Sequence, residues 1–99
     1  LRFCYCTTLL KRISIECNIP ILLAAQIGRA GDTRRPTMSD FKESGSIEED
    51  ADNAILMSLT ESEGEQKNIL CDLAKHRQGM TGTVGMVFVP KKVKFYEVK

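Results

Sequence analysis

Apolar residues recur along the first part of the chain at helical intervals. Phe3, Cys6, Leu10, Ile13 and Cys17 follow a three-four-three-four spacing with Leu9 beside them. That is the signature of one face of an amphipathic helix over residues 1 to about 18. Lys11, Arg12 and Glu16 fall off the stripe, and Asn18 and Pro20 stop it. Ile19 to Ile27, IPILLAAQI, is a continuous apolar run and not an alternating one. Such a run predicts a strand buried on both faces, and a helix followed by such a strand predicts an α/β unit. Residues 28 to 38 form a loop rich in Gly, Arg, Asp, Thr and Pro.

The run Ser39 to Asp52, SDFKESGSIEEDAD, reads as two short helical turns hinged at a glycine. Ser44-Gly45 ends the first, and Ser46 with Glu49 fits a capping box that starts the second near Ile47. Asn53 to Thr60 is a mostly apolar strand, and Glu61 to Gln66 an exposed turn. Asn68 to His76 and Thr83 to Val89 read as paired strands around RQGMTG, with Gly79 and Gly82 expected to supply the turn conformations. Lys94 to Val98 is a short last strand after the turn at Pro90-Lys91-Lys92. The order is α-β-αα-β-β-β.

Composition narrows the picture only modestly. Ninety-nine residues make at most one domain with a modest core. Apolar residues at 42% and charged residues at 27% are ordinary for a globular domain. A net charge of +1 gives no global argument for nucleic acid, so that argument must come from local patches. No apolar run approaches the roughly 18 residues of a membrane span, and LRFCYCTTLLKR lacks the unbroken apolar core of a signal peptide. Without an initial methionine, the chain reads as the interior of something longer. Cys4, Cys6, Cys17 and Cys71 form no C-x-x-C pair and His76 is remote in sequence, so no metal site is expected. Cys6 and Cys17 fall on the apolar helical face, where a thiol acts as a small hydrophobe. Reduced thiols suit a cytoplasmic protein.

Three groups of residues carry candidate chemistry. Gln26 ends an otherwise apolar strand, and ligands bind outside the carboxyl ends of strands in parallel α/β sheets. By position alone it is more simply a polar strand end meeting solvent. Lys75 and Arg77 sit two apart, so a strand period of two places both on one side and His76 on the other. Two cations on one rim can meet an oxyanion, and a basic hairpin tip in water fits equally well. Lys42, Glu43, Ser44 and Gly45 precede a helix start, where glycine and free N–H groups suit phosphate contact. An ordinary capped helix-turn-helix is the alternative. Arg29, Arg34 and Arg35 make the preceding loop basic. Glu43, Glu48, Glu49, Asp50 and Asp52 match no calcium-loop spacing and read as a solvated acidic face or as partners of the nearby arginines.

The run 39–52 closely resembles the fourth conserved motif of hexameric replicative DNA helicases of the DnaB type, D-L-R-E-S-G-x-I-E-Q-D-A-D. PILLAAQIGR resembles that family's P-V-I-A-L-S-Q-L-N-R, and AKHRQGMTGTV its A-K-Q-R-N-G-P-T-G-T-V. His76, Gln78 and Met80 depart from the last pattern without removing a charge. The resemblance covers about residues 5 to 96 and is strongest over 20–29, 36–52 and 74–84. It implies the C-terminal half of a RecA-like P-loop NTPase fold, with residues 1–99 a single partial domain. It implies that Gln26 senses the γ-phosphate and that Lys75 and Arg77 are fingers acting in trans on a neighbouring subunit. It further implies that Lys42 to Gly45 hold the phosphates of single-stranded DNA, with Arg34 and Arg35 sharing the load. Lys42 stands where the family has Arg, keeping the charge but losing the bidentate fork.

The implied whole is a hexameric ring that uses ATP and Mg2+ to unwind duplex DNA by translocating on one strand. The 99 residues contain no G-x-x-x-x-G-K-[ST] and no apolar strand ending in a Walker B Asp. In the family both precede this region, so the isolated segment is expected to be inactive and to bind no cofactor. Two alternatives share parts of the pattern: a fragment of a RecA-like recombination or repair ATPase, and a non-enzymatic binding module derived from such a motor.

Overall fold

The amphipathic spacing at the start folds as α1, Arg2–Cys17. Its end is built by Asn18, whose φ of +54° is left-handed. The Ile19 amide then reaches back to the Ser14 carbonyl at 3.1 Å, the six-to-one bond of a Schellman cap. Asn is one of the few residues that enter this region readily, which is why the helix stops here. The computed structural model describes residues 2–27, 35–44 and 47–98. Of residues 2–5, 42–44, 61 and 63 it describes the backbone alone. The chain divides into two compact units, Leu1–Asp52 and Asn53–Lys99.

In the first unit the face that α1 buries is not the predicted one. Thr7 is buried and Leu10, Lys11 and Ser14 are half-buried, a stripe of i, i+3, i+4, i+7. Cys6, Ile13 and Cys17 are exposed. The polar stripe wins because Thr8 and Lys11 bond to the acidic residues at the unit's other end, described below. Residues 19–27 also depart from expectation. They run extended but join no ladder, and Leu22 is 98% exposed. A doubly buried strand needs a paired strand on each side, and the four strands described pair only with one another.

A 3₁₀ turn, Met38–Ser44, kinks at Phe41. It is followed by α2, Ile47–Asp50. These are the two short helical turns read from the sequence, with Phe41 and Ile47 buried beneath them. The hinge at Gly45 and the Ser46 cap lie outside the described residues. The entrance is capped: the Thr37 amide donates to Asp40 Oδ2 at 2.7 Å, and the Asp40 amide to the Thr37 carbonyl at 3.0 Å. This is half of a reciprocal capping box.

The second unit is a four-stranded antiparallel sheet in simple meander order, β1 (Asn53–Glu63), β2 (Gln66–His76), β3 (Gly82–Val89) and β4 (Lys94–Glu97). All the strands read from the sequence beyond residue 52 are present, with β1 and β2 longer than expected. Their tight connection needs Gly64 at φ +58°, which glycine alone adopts without strain. Along β1 the faces alternate sharply: Leu56 is 2% exposed, whereas Ile55 and Met57 are 62% and 50% exposed. The Phe88 and Phe95 rings meet across β3 and β4 at 4.6 Å between centroids.

The β3–β4 turn holds a strained residue. Val93 has φ +50° while its amide bonds to the Pro90 carbonyl at 3.1 Å. A β-branched residue in this region is an outlier costing roughly 1–2 kcal/mol. Its side chain is 76% exposed, so little burial opposes replacement. Val93→Gly is expected to raise stability by about 0.5–1 kcal/mol, the relieved strain less the extra chain entropy of glycine. A lower melting temperature for the variant would refute this.

Candidate functional site

The two candidate finger residues lie at one end of the β2–β3 hairpin. β2 and β3 pair in unbroken register from Lys67↔Phe88 to Leu73↔Gly82. On the other side of β2 the register with β1 slips: Ala54 faces Lys75, and Ile55 faces Leu73. Ala74 is therefore an extra residue, a bulge that re-aims the side chains beyond it. Lys75 is half-buried in β2, and His76 is the strand's last residue. Arg77 is exposed in the turn. The period-two argument therefore stops one residue short of Arg77, whose placement is set by the turn.

That turn is braced from within. The Gly79 amide bonds to the His76 carbonyl at 3.3 Å. His76 Nδ1 lies 3.0 Å from the Met80 carbonyl oxygen. A carbonyl only accepts, so Nδ1 carries the proton in this arrangement. The imidazole sits so close over Gly79 that a Cβ there would collide with the ring. The expectation that Gly79 and Gly82 supply special turn dihedrals is not met, because Gly64 alone among the described glycines has positive φ. Gly79 is needed for room, and Gly82 is simply the first residue of β3.

Deeper in the same hairpin, Asp72 is 8% exposed and accepts a 2.6 Å bond from Thr83 Oγ1, its cross-strand neighbour. Beside it Cys71 packs its sulfur 3.6 Å from Met86 Sδ. Burial, and secondarily the Asp72 charge, push the Cys71 thiol above its usual pKa. It is therefore held protonated as a packing group.

The first unit carries the other candidates. Gln26 is exposed in the extended 19–27 segment. The backbone of Lys42, Glu43 and Ser44 forms the last turn of the 3₁₀ helix. Arg35 is exposed, while Arg34 and Gly45 lie outside the described residues. The acidic end of the run is anchored to α1. Lys11 Nζ pairs with Asp52 Oδ1 at 2.6 Å, and Thr8 Oγ1 donates to Asp50 Oδ2 at 3.1 Å. The partner of Asp52 is thus a lysine from α1 and not a loop arginine. Sequence reading missed Thr8 and Lys11 because an off-stripe cation resembles solvated surface. The Thr37-x-x-Asp40 cap, by contrast, was visible as a spacing.

These features define a class before they define a family. The fold superposes on the solved ATPase domain of a helicase with a TM-score of 0.81 and 27% identity, covering 98% of this chain and 37% of that one. It is a RecA-like helicase ATPase fold. The DnaB-like helicase C terminal domain family matches residues 3–97, and the chain belongs to that family. Replicative DNA helicase DnaC of Bacillus subtilis (strain 168) is 39% identical over 97 residues, covering 91% of this chain and 21% of that protein. Replicative DNA helicase DnaB of Geobacillus stearothermophilus is 36% identical over the same length and coverage. The chain thus spans about a fifth of the length of these relatives. No helix among the described residues is long and apolar enough to cross a membrane.

Proposed function

We propose that this chain is part of the motor of a replicative, ATP-dependent DNA helicase, a cytoplasmic hexameric ring that translocates on single-stranded DNA. Family membership supports the reading. The observation that carries it is the hairpin that sets Lys75 and Arg77 on either side of the last residue of β2. Its role there is to present positive charge to a phosphoryl group bound by a neighbouring subunit, where charge spreads over the equatorial oxygens during transfer. Gln26 serves as the γ-phosphate sensor. Lys42 to Gly45, with Arg34 and Arg35, contact the DNA backbone without reading sequence. The two units are parts of one RecA-like domain, as the near-complete cover by one solved ATPase domain supports.

ATP and Mg2+ belong to the longer protein. Among the described residues no three His, Cys, Asp or Glu side chains converge on a possible ion, and the 99 residues contain no phosphate-binding loop. The metal and most of the nucleotide would therefore be held elsewhere, and the 99-residue chain alone is expected not to hydrolyse ATP.

The test is strand displacement by the longer protein on a forked duplex with ATP and magnesium, alongside single-stranded DNA titrations at several salt concentrations. Displacement should require ATP. Lys42→Ala should weaken binding about equally for all sequences and flatten the salt dependence, by a slope of roughly 0.7 for each phosphate no longer neutralised. A protein that hydrolyses ATP but displaces no strand would exclude the helicase reading. Unchanged affinity and slope in Lys42→Ala would move the DNA path away from this run.

A further inference from the structure

We infer that His76 is a positioning residue for the two cations: its ring, seated on Gly79 and tied through Nδ1 to the Met80 carbonyl, fixes the turn that carries Arg77. The inference rests on the reading of Lys75 and Arg77 as groups that meet a phosphoryl oxyanion. Three independent features of the hairpin support it.

The first is that Arg77 is not on the strand. Ladder hydrogen bonds fix Lys75 and His76 but end there. A guanidinium on a turn is placed only as well as the turn itself. Pre-organised charge stabilises a transition state without reorganisation at the moment of reaction, and misplacement by about 1 Å can lose on the order of 10²-fold in rate. Something has to hold residues 77–80, and the backbone bond that closes them, Gly79 N–H to the His76 carbonyl, is long at 3.3 Å.

The second feature is the bond across the turn. His76 Nδ1 and the Met80 carbonyl oxygen are 3.0 Å apart, a full-strength hydrogen-bond distance. It closes a loop that contains Arg77, Gln78 and Gly79. The side chain thereby supplements the sparse backbone pairing of the turn. The third is Gly79. Its dihedrals do not require glycine, yet a Cβ there would strike three atoms of the His76 ring. All three of the nearest atoms belong to that ring, so the imidazole accounts for glycine at this position. At the other end, the Asp72–Thr83 bond ties β2 to β3, so the hairpin is held at its stem and at its tip.

The experiment uses the longer protein in its assembled form and reads kcat and KM for ATP, with melting temperature and ring assembly as controls. His76→Ala should lower kcat about ten- to hundredfold while KM and melting temperature stay near the parent values. His76→Asn keeps an N–H donor close to the Nδ1 position and should restore kcat to within about threefold. Gly79→Ala displaces the ring and should lose about as much as His76→Ala. Combined with His76→Ala, it should add nothing, because no ring remains to displace.

Should His76→Ala fail to assemble, Gly79→Ala with and without His76→Asn tests the same contact from the other side. There Asn, smaller than the ring, should relieve the defect. A kcat within twofold of the parent for His76→Ala overturns the inference, as do losses that multiply in the double variant or a change confined to KM. The underlying reading fails separately. If Arg77→Ala itself hydrolyses ATP normally, the cations are not fingers. If Arg77→Ala is inactive and His76→Ala is normal, only the positioning role is wrong.

Discussion

Arg77→Ala in the assembled protein is expected to lower the ATP hydrolysis rate by roughly 10³–10⁵ while leaving nucleotide binding within a few fold. The asymmetry follows from where a finger acts. A ground-state phosphate chain is already held by its own subunit. A guanidinium arriving from the next subunit matters most when negative charge builds up on the transferring group. Lys75→Ala should act in the same direction but more weakly. An ammonium is a compact, strongly hydrated point charge, whereas the guanidinium fork can engage two oxygens at once. The trans arrangement has its own signature. Subunits carrying Arg77→Ala, mixed with subunits defective in the phosphate-binding loop, should regain part of the missing rate. Some mixed interfaces then join an intact loop to an intact finger. Normal turnover by rings made entirely of Arg77→Ala subunits would reduce Arg77 to a solvated turn residue.

The second large effect is on stability and comes from β1. Leu56→Ala in the 99-residue chain should cost about 2–5 kcal/mol, because Leu56 is the largest side chain among the described residues that is almost wholly shielded from water. Ile55→Ala, one residue away, should cost about 1 kcal/mol or less, since that side chain is already 62% exposed. Denaturant titrations of the two variants against the parent would decide it. Equal costs would mean that β1 does not have one covered and one open face. A larger Ile55→Ala cost in the longer protein than in this chain would show that the open face is covered there.

Much of this was legible in the sequence, and the parts that were not share a cause. α1, the two short turns of 38–50 and the four strands after residue 52 are set by local signals. These are helical periodicity, an asparagine after the last helical turn, and apolar runs separated by Gly-containing turns. Such signals act within a few residues and do not depend on what lies elsewhere. The run Ile19–Ile27 reads as a doubly buried strand because its composition answers to neighbours on both sides. Where no ladder partner is present it lies extended and exposed. The stripe of Cys6, Ile13 and Cys17 misleads in the same way, since apolar character states what a face is suited to meet and not what it meets.

The candidate site divides along similar lines. Lys75 and Arg77 were found by charge and spacing, but the turn geometry that places Arg77 depends on an imidazole, a carbonyl and a missing Cβ that converge only in three dimensions. Gly79 was singled out for the wrong reason, as a residue needed for its dihedrals and not for space. The Lys11–Asp52 pair spans residues far apart in sequence, and no local pattern encodes a pairing at that separation.

The strand order has a consequence for how the molecule opens. In the sheet β1-β2-β3-β4 the two central strands are β2 and β3, the two that carry the basic tip. Their amides are laddered on both sides, whereas those of β1 and β4 are laddered on one side and those of 21–27 on none. Amide hydrogen exchange should therefore proceed inward. The 21–27 amides should take up deuterium at nearly unprotected rates and the edge strands later. The stems of β2 and β3 should open last, in the unit's most cooperative opening. A tip rooted in the slowest-exchanging segment has little freedom to bend independently of it. Any change in its reach has to come from rotation of the whole sheet.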